Sequence, residues 1–192
     1  MTSCYHSKNP NPTYFFTARL ADPNSSVLVK EVALLRQAVR ETVERYPFTI
    51  DAIVVLPAAL HTIWTLTAQD PDFRPRWRFL KSRFSRALMQ TTPQQDGDLT
   101  TRRERIWHKR LWDHQIRSSH DLEVHRQLIH SAPAQTGLVQ DPKDWAWTSL
   151  HRTLAASHRQ HNAQPPRKLS DLNFKSVRST RTVSLLPEAQ AT

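Results

Sequence analysis

Residues 48–66 read FTIDAIVVLPAALHTIWTL, and the alternation of side chains along them decides the fold. Ile50, Ala52, Val54 and Leu56 fall on one side of an extended chain, and Ile53 and Val55 on the other. Both sides are apolar, so residues 48–56 predict a central strand covered on both faces. Pro57 interrupts it, and residues 60–66 predict a second strand. Leu60, Thr62, Trp64 and Leu66 share one face of that strand; His61, Ile63 and Thr65 share the other. Residues two apart in a strand point the same way, so side chains at 59 and 61 could address one metal ion. Position 59 is alanine, which leaves His61 as a single, weak metal ligand.

Outward from this stretch the chain alternates strands and helices. Residues 13–20 predict a first strand, and residues 28–46 a helix with Leu28, Val32, Leu35, Val39, Val43 and Tyr46 along one stripe. A basic helix is expected over residues 73–89, then a polar loop over 91–105 containing Pro93 and Gly97. Residues 112–116 predict a further strand, and Ser119 is the expected N-cap of a helix over 121–131. Strands interleaved with helices in this order suit an α+β sandwich. Residues 1–155 are expected to form one domain. Residues 156–192, polar, basic and carrying Pro165-Pro166, are expected to form a flexible tail.

Composition narrows the function. The 192 residues carry 27 Lys and Arg against 17 Asp and Glu, a formal charge of +10, so a polyanion is the natural partner. The alternative is a merely well-solvated basic surface. Clustering favours the polyanion. In the basic helix Trp77, Leu80, Phe84 and Leu88 form an apolar stripe, which leaves Arg76, Arg78, Arg83 and Arg86 for phosphates. A second cluster of Arg102, Arg103, Arg105, Lys109 and Arg110 surrounds Trp107 and Trp112. Aromatics among cations suit a single strand with stackable bases, although such tryptophans also serve as core. One cysteine, Cys4, excludes a disulfide framework or a cysteine-rich zinc site and fits a reducing cytoplasm. Two glycines, Gly97 and Gly137, exclude a phosphate loop or dinucleotide fingerprint. No apolar run reaches membrane-spanning length and the N-terminus lacks a signal-peptide core, so a soluble, cytoplasmic protein is expected.

The wording of several segments resembles one family. VVLPAALHTIWTL is similar to VVLPDHLHCIWTL of the REP-associated tyrosine transposases, single-strand DNA transposases of the HUH class. TYFFTARL, residues 13–20, resembles the family's first strand, and residues 74–88 resemble RWRLIKSRFSRAL. IWHKRLWDHQIR, residues 106–117, is similar to IWQRRFWEHTIR, and DWAWTSLHR, residues 144–152, to DWPYSSFHR. The likeness is collinear from about residue 13 to about 153. It implies a ferredoxin-like antiparallel sheet with helices packed on one face, and single-stranded or hairpin DNA as partner. It also implies a divalent cation, Mg or Mn, held by two histidines and polarising the scissile phosphate.

Measured against that family, the chemistry is missing. Ala59 stands at the first histidine, with His61 at the second. The family segment DYIHINPVKHGLV carries the tyrosine nucleophile and, four residues on, an asparagine of the metal site. This chain reads QLIHSAPAQTGLV over residues 127–139, with Leu128 for the tyrosine and Ala132 for the asparagine. Leucine cannot form a phosphotyrosine bond and alanine offers no ligand. Matches at Ile129, His130, Pro133, Gly137, Leu138 and Val139 show that the comparison is in register. The resemblance therefore implies a DNA-binding protein without strand cleavage, with no catalytic residues and no cofactor. Two alternatives stand beside it: cleavage sustained by Tyr5, Tyr14 or Tyr46 with a substitute ligand, or a repurposed protein-interaction module. His120, His125 and His130 are the histidines weighed as substitutes, but His125 and His130 lie about 140° apart on a helix, a spacing against their sharing an ion. The N-terminal arm carries Pro10 where the family has glycines, which points to altered sequence specificity.

Overall fold

The structure is a computed structural model that describes residues 11–91 and 106–162, with the backbone alone over 157–162. The N-terminal arm with Tyr5, the expected 91–105 loop from residue 92 with Arg102, Arg103 and Arg105, and the tail from residue 163 lie outside these residues.

Strand β1 (Thr13–Arg19) leads through α1 (Val27–Lys30) and α2 (Val32–Arg45) into β2 (Phe48–Val55) and β3 (Ala59–Leu66). Helix α3 (Arg74–Thr91) precedes β4 (Trp112–Gln115); α4 (Ser119–Gln135) and α5 (Leu150–Asn162) follow, with a 3-10 turn (Pro142–Asp144) between them. The four strands form one antiparallel sheet in the order β2-β3-β1-β4, the ferredoxin-like arrangement that the resemblance implied. The expected boundary at 155/156 falls within α5.

Two apolar cores lie on opposite faces of the sheet. On one, Phe16, Leu60, Trp64 and Leu66 meet Leu28, Leu35 and Ala38 from α1 and α2, and Trp77, Leu80 and Phe84 from α3. Trp64 and Trp77 stack there, 4.4 Å between centroids. On the other, Phe15, Ala52, Val54, Leu56 and Ile63 meet Ile129 and Ala132 of α4. Helices therefore cover both faces, where one face was expected. The reason is visible in α4, whose Ile129 is fully buried against the sheet.

Three local expectations also change. The strand predicted as central is an edge strand, and it is covered along its edge as well as on its faces. The Val55 N–H donates to Trp147 O and the Ser149 N–H to Ile53 O. The pairing of β2 with β3 slips between Ile50 and Ala52, a β-bulge at Asp51. Ile50 consequently joins the core of α2 and α3, while Ala52 and Val54 face α4, so strict alternation assigned Ile50 to the wrong side. The predicted 28–46 helix breaks at Glu31 into α1 and α2.

The start of α4 is set one residue earlier than expected. Ser118, not Ser119, is the N-cap, its hydroxyl accepting from the Asp121 N–H at 3.0 Å. The Asp121 carboxylate in turn accepts from the Arg117 N–H at 2.9 Å. The helix continues past residue 131, through Pro133, and closes with Gly137 at φ 72°, where the Leu138 N–H donates to Pro133 O.

Candidate functional site

The face of the sheet opposite α2 and α3 carries a cross-strand row. Thr17 of β1 pairs with His61 of β3 on one side and with Trp112 of β4 on the other. Around this row lies an open cavity of about 530 Å³ lined by Phe15, Thr17, Arg19, His61, His108, Arg110, Trp112 and Leu128. Trp112 is 47% exposed, whereas Trp107, its neighbour in the sequence cluster, is buried against Phe84. One aromatic of that cluster is thus core and the other a presented surface.

His61 is held rather than free. Its Nδ1 lies 2.8 Å from the Thr17 hydroxyl, and its ring is parallel to that of Phe15. Burial, reinforced by the positive charge of Arg19, pushes its pKa down to about 4, so the imidazole is neutral at physiological pH. Leu128, at the expected nucleophile position, lines the same cavity and is exposed. Ala132 is buried in the core beneath α4, and Ala59 packs against that core. The structure thus gathers Ala59, His61, Leu128 and Ala132 where β3 meets α4.

This set does not fit a divalent cation at the position the family implies. Ala59 and Ala132 present methyl groups, which leaves His61 as the one ligand of the set, and a single imidazole holds a divalent cation weakly. Among the described residues, neither Tyr14 nor Tyr46 lines the cavity. Tyr14 packs with Phe16 and Phe73 on the opposite side of the sheet, and Tyr46 against Phe79.

The expected cations divide. Arg110 lines the cavity and Lys109, exposed, lies between two lining residues. Arg19 was not anticipated; its position two residues on from Thr17, on the same face of β1, was the available signal. Arg76 is a correction. It is fully buried, its guanidinium donating to Asp72 O at 2.6 Å and Pro47 O at 3.2 Å and pairing with Asp70 at 2.9 Å. Helical spacing hid this less than it seemed, since Arg76 precedes Leu80 and Phe84 by four and eight residues on the buried stripe. Arg83 pairs with Glu41 of α2; Arg78 and Arg86 are exposed on α3. All three belong to the helical layer on the far side of the sheet from His61.

A ferredoxin-like sheet that presents a strand histidine toward a crossing helix has the layout of the HUH single-strand nucleases, the class to which the sequence motifs pointed. Comparison with known proteins narrows this. The chain is 35% identical over 143 residues to the REP-associated tyrosine transposase of Escherichia coli K12, covering 74% of this chain and 79% of that one. It is 36% identical over 144 residues to a putative REP-associated tyrosine transposase of Haemophilus influenzae, covering 74% and 82%. A solved REP-associated tyrosine transposase bound to a REP hairpin superposes with a TM-score of 0.67 at 33% identity, over 81% of this chain and 86% of that one. No protein-family model matches. The chain belongs to the REP-associated tyrosine transposase family. No helix among the described residues is long and apolar enough to cross a membrane.

Proposed function

We propose that this protein binds hairpin-bearing single-stranded DNA through the cavity around His61 and holds it without cutting it. The observation that carries this reading is the make-up of the cavity. An exposed indole, Trp112, stands beside the cations Arg19 and Arg110, with Leu128 where a nucleophile would be. A guanidinium pairs with a phosphodiester, and an indole face takes an unpaired base. Neutral His61 donates or accepts a hydrogen bond but adds no charge.

The relative bound to a REP hairpin supports the choice of a hairpin as ligand. Cleavage is absent because the attacking oxygen is absent: leucine has none, and the tyrosines of the described residues lie on the other side of the sheet or at its helical layer. The family's divalent cation is lost with its ligands. Arg78 and Arg86 contribute long-range attraction rather than contacts in the cavity, whereas the charge of Arg83 is offset by Glu41.

The test offers hairpin single-stranded DNA, with Mg or Mn, to the wild type and to the Ala59→His, Leu128→Tyr, Ala132→Asn triple variant. Binding and denaturation-resistant adducts are scored separately. Binding by the wild type that weakens with salt, without adducts, is the expected result. A covalent adduct with the wild type would overturn the loss of cleavage. Absence of binding even at low ionic strength would overturn the DNA reading.

A further inference from the structure

Next to the cavity, on the far side of Phe15, three side chains converge that the DNA reading does not use. His114 of β4 and His125 of α4 both turn toward the carboxylate of Asp121 at the start of α4. His114 Nε2 lies 3.1 Å from Asp121 Oδ2, and His125 Nδ1 lies 3.0 Å from Asp121 Oδ1. The two imidazoles stack, 4.6 Å between centroids and 17° from parallel. All three side chains are half-buried, and their ligand atoms lie within 4.8 Å of one another.

We propose that His114, Asp121 and His125 form a binding site for one divalent transition-metal ion of the zinc type, apart from the position the family implies for its cation. Two ligands on one tetrahedral ion with bonds of about 2.0 Å stand about 3.3 Å apart. Both nitrogen-to-carboxylate distances are already close to that. The main-chain oxygen of Asp121, 2.8 Å from His125 Nδ1, accepts that nitrogen's proton in the metal-free chain, so a metal would take the Nδ1 lone pair as the proton moves to Nε2. Two imidazole nitrogens and one carboxylate favour zinc, cobalt, nickel or copper over magnesium or calcium, which prefer all-oxygen shells.

The surroundings fix the ligands in advance. Asp121 is the third residue after its N-cap, and the Arg117 N–H orients its carboxylate. His125 is braced by the ring of Phe15 at 4.8 Å, and His114 by that of Trp112 at 6.2 Å. Metal binding would therefore clasp the outer strand to the helix that crosses the sheet. The site adjoins the DNA cavity through Phe15 and Trp112, which line that cavity and pack against His125 and His114.

The test is titration of the full chain with cobalt(II), read by its d–d absorption, followed by displacement with zinc. One equivalent is expected to saturate. His114→Gln and His125→Gln keep an amide donor toward Asp121, and each is expected to weaken binding at least about tenfold. His151→Gln, an exposed histidine elsewhere, is expected to bind like wild type. Equal affinity in all variants, or no saturable binding, overturns the site. Zinc-edge X-ray absorption of the loaded wild type is a reading that needs no variant. Two imidazoles with oxygen ligands support the proposal, whereas a sulfur ligand or fewer than two imidazoles overturns it.

Discussion

Acidification should destabilise this protein well above the range in which carboxylates titrate, and His61 is the cause. Its pKa is about 4 in the folded chain against an ordinary 6.5, because burial and Arg19 disfavour the imidazolium. The unfolded chain therefore takes up the proton first as the pH falls. The stability tied to the neutral ring is complete above pH 6.5 and is lost progressively down to about pH 4. Integrating the two titrations gives a loss of about 2 kcal/mol by pH 5 and about 3 kcal/mol by pH 4. The assay is urea unfolding at pH 7.5, 6, 5 and 4 for the wild type and for His61→Asn, whose amide oxygen can still accept from Thr17. Burial also lowers the pKa of His130, which adds a loss of the same sign, so the difference between the two proteins isolates His61. The variant should lack that share of the acid sensitivity. Parallel pH profiles for the two proteins would refute the reasoning.

Other perturbations follow from the same geometry. Trp112→Ala should weaken hairpin DNA binding by about 1–3 kcal/mol, roughly 5- to 150-fold in Kd, with little change in Tm since the side chain is exposed. Arg110→Ala should lower the slope of log K against log salt by about 0.7, whereas Arg86→Ala, on the other side of the sheet, should leave it nearly unchanged; fluorescence anisotropy at graded salt distinguishes them. Arg76→Ala should cost about 3–5 kcal/mol in chemical denaturation, because it removes a fully buried side chain, leaves a void and takes the charged donor from two main-chain carbonyls, while the folded fraction keeps its DNA affinity. Ser118→Ala should cost about 1 kcal/mol through loss of the cap on α4, readable as a shift in Tm.

What the sequence disclosed depended on how local each signal was. Strand periodicity placed β3 and its two faces, since Leu60 and Trp64 are core and His61 faces the cavity. It failed at Asp51, because a bulge inserts one residue without any mark in composition. Arg126 of α4 grips the Asp51 carboxylate with two contacts of 2.6 Å, a long-range partnership that no window around residue 51 contains. The candidate site was half legible. The positions of Ala59, His61, Leu128 and Ala132 came from the family likeness, and the chain does bring them together. The trio of His114, Asp121 and His125 is not legible in any one periodicity, because His114 belongs to a strand and Asp121 and His125 to a helix. Only the turn between β4 and α4 brings a strand histidine to a helix carboxylate. Arg76 is obscured for another reason: an arginine on an apolar stripe is read by its charge, although its spacing already marked it as interior.

The cover along β2 has a consequence for how copies of this chain could meet. From Ile50 to Val55 the outward main-chain groups are engaged by Trp147, Ser149 and the guanidinium of Arg152, which reaches Ile50 O and Asp51 O. An extended segment of another molecule finds no open ladder there. Lateral growth of the sheet is thereby confined to the side of β4, whose flank carries the imidazole cluster. The protein has a blunt side and a receptive one, so two copies joined by strand addition could meet only β4 to β4, in a symmetric pair that closes on itself.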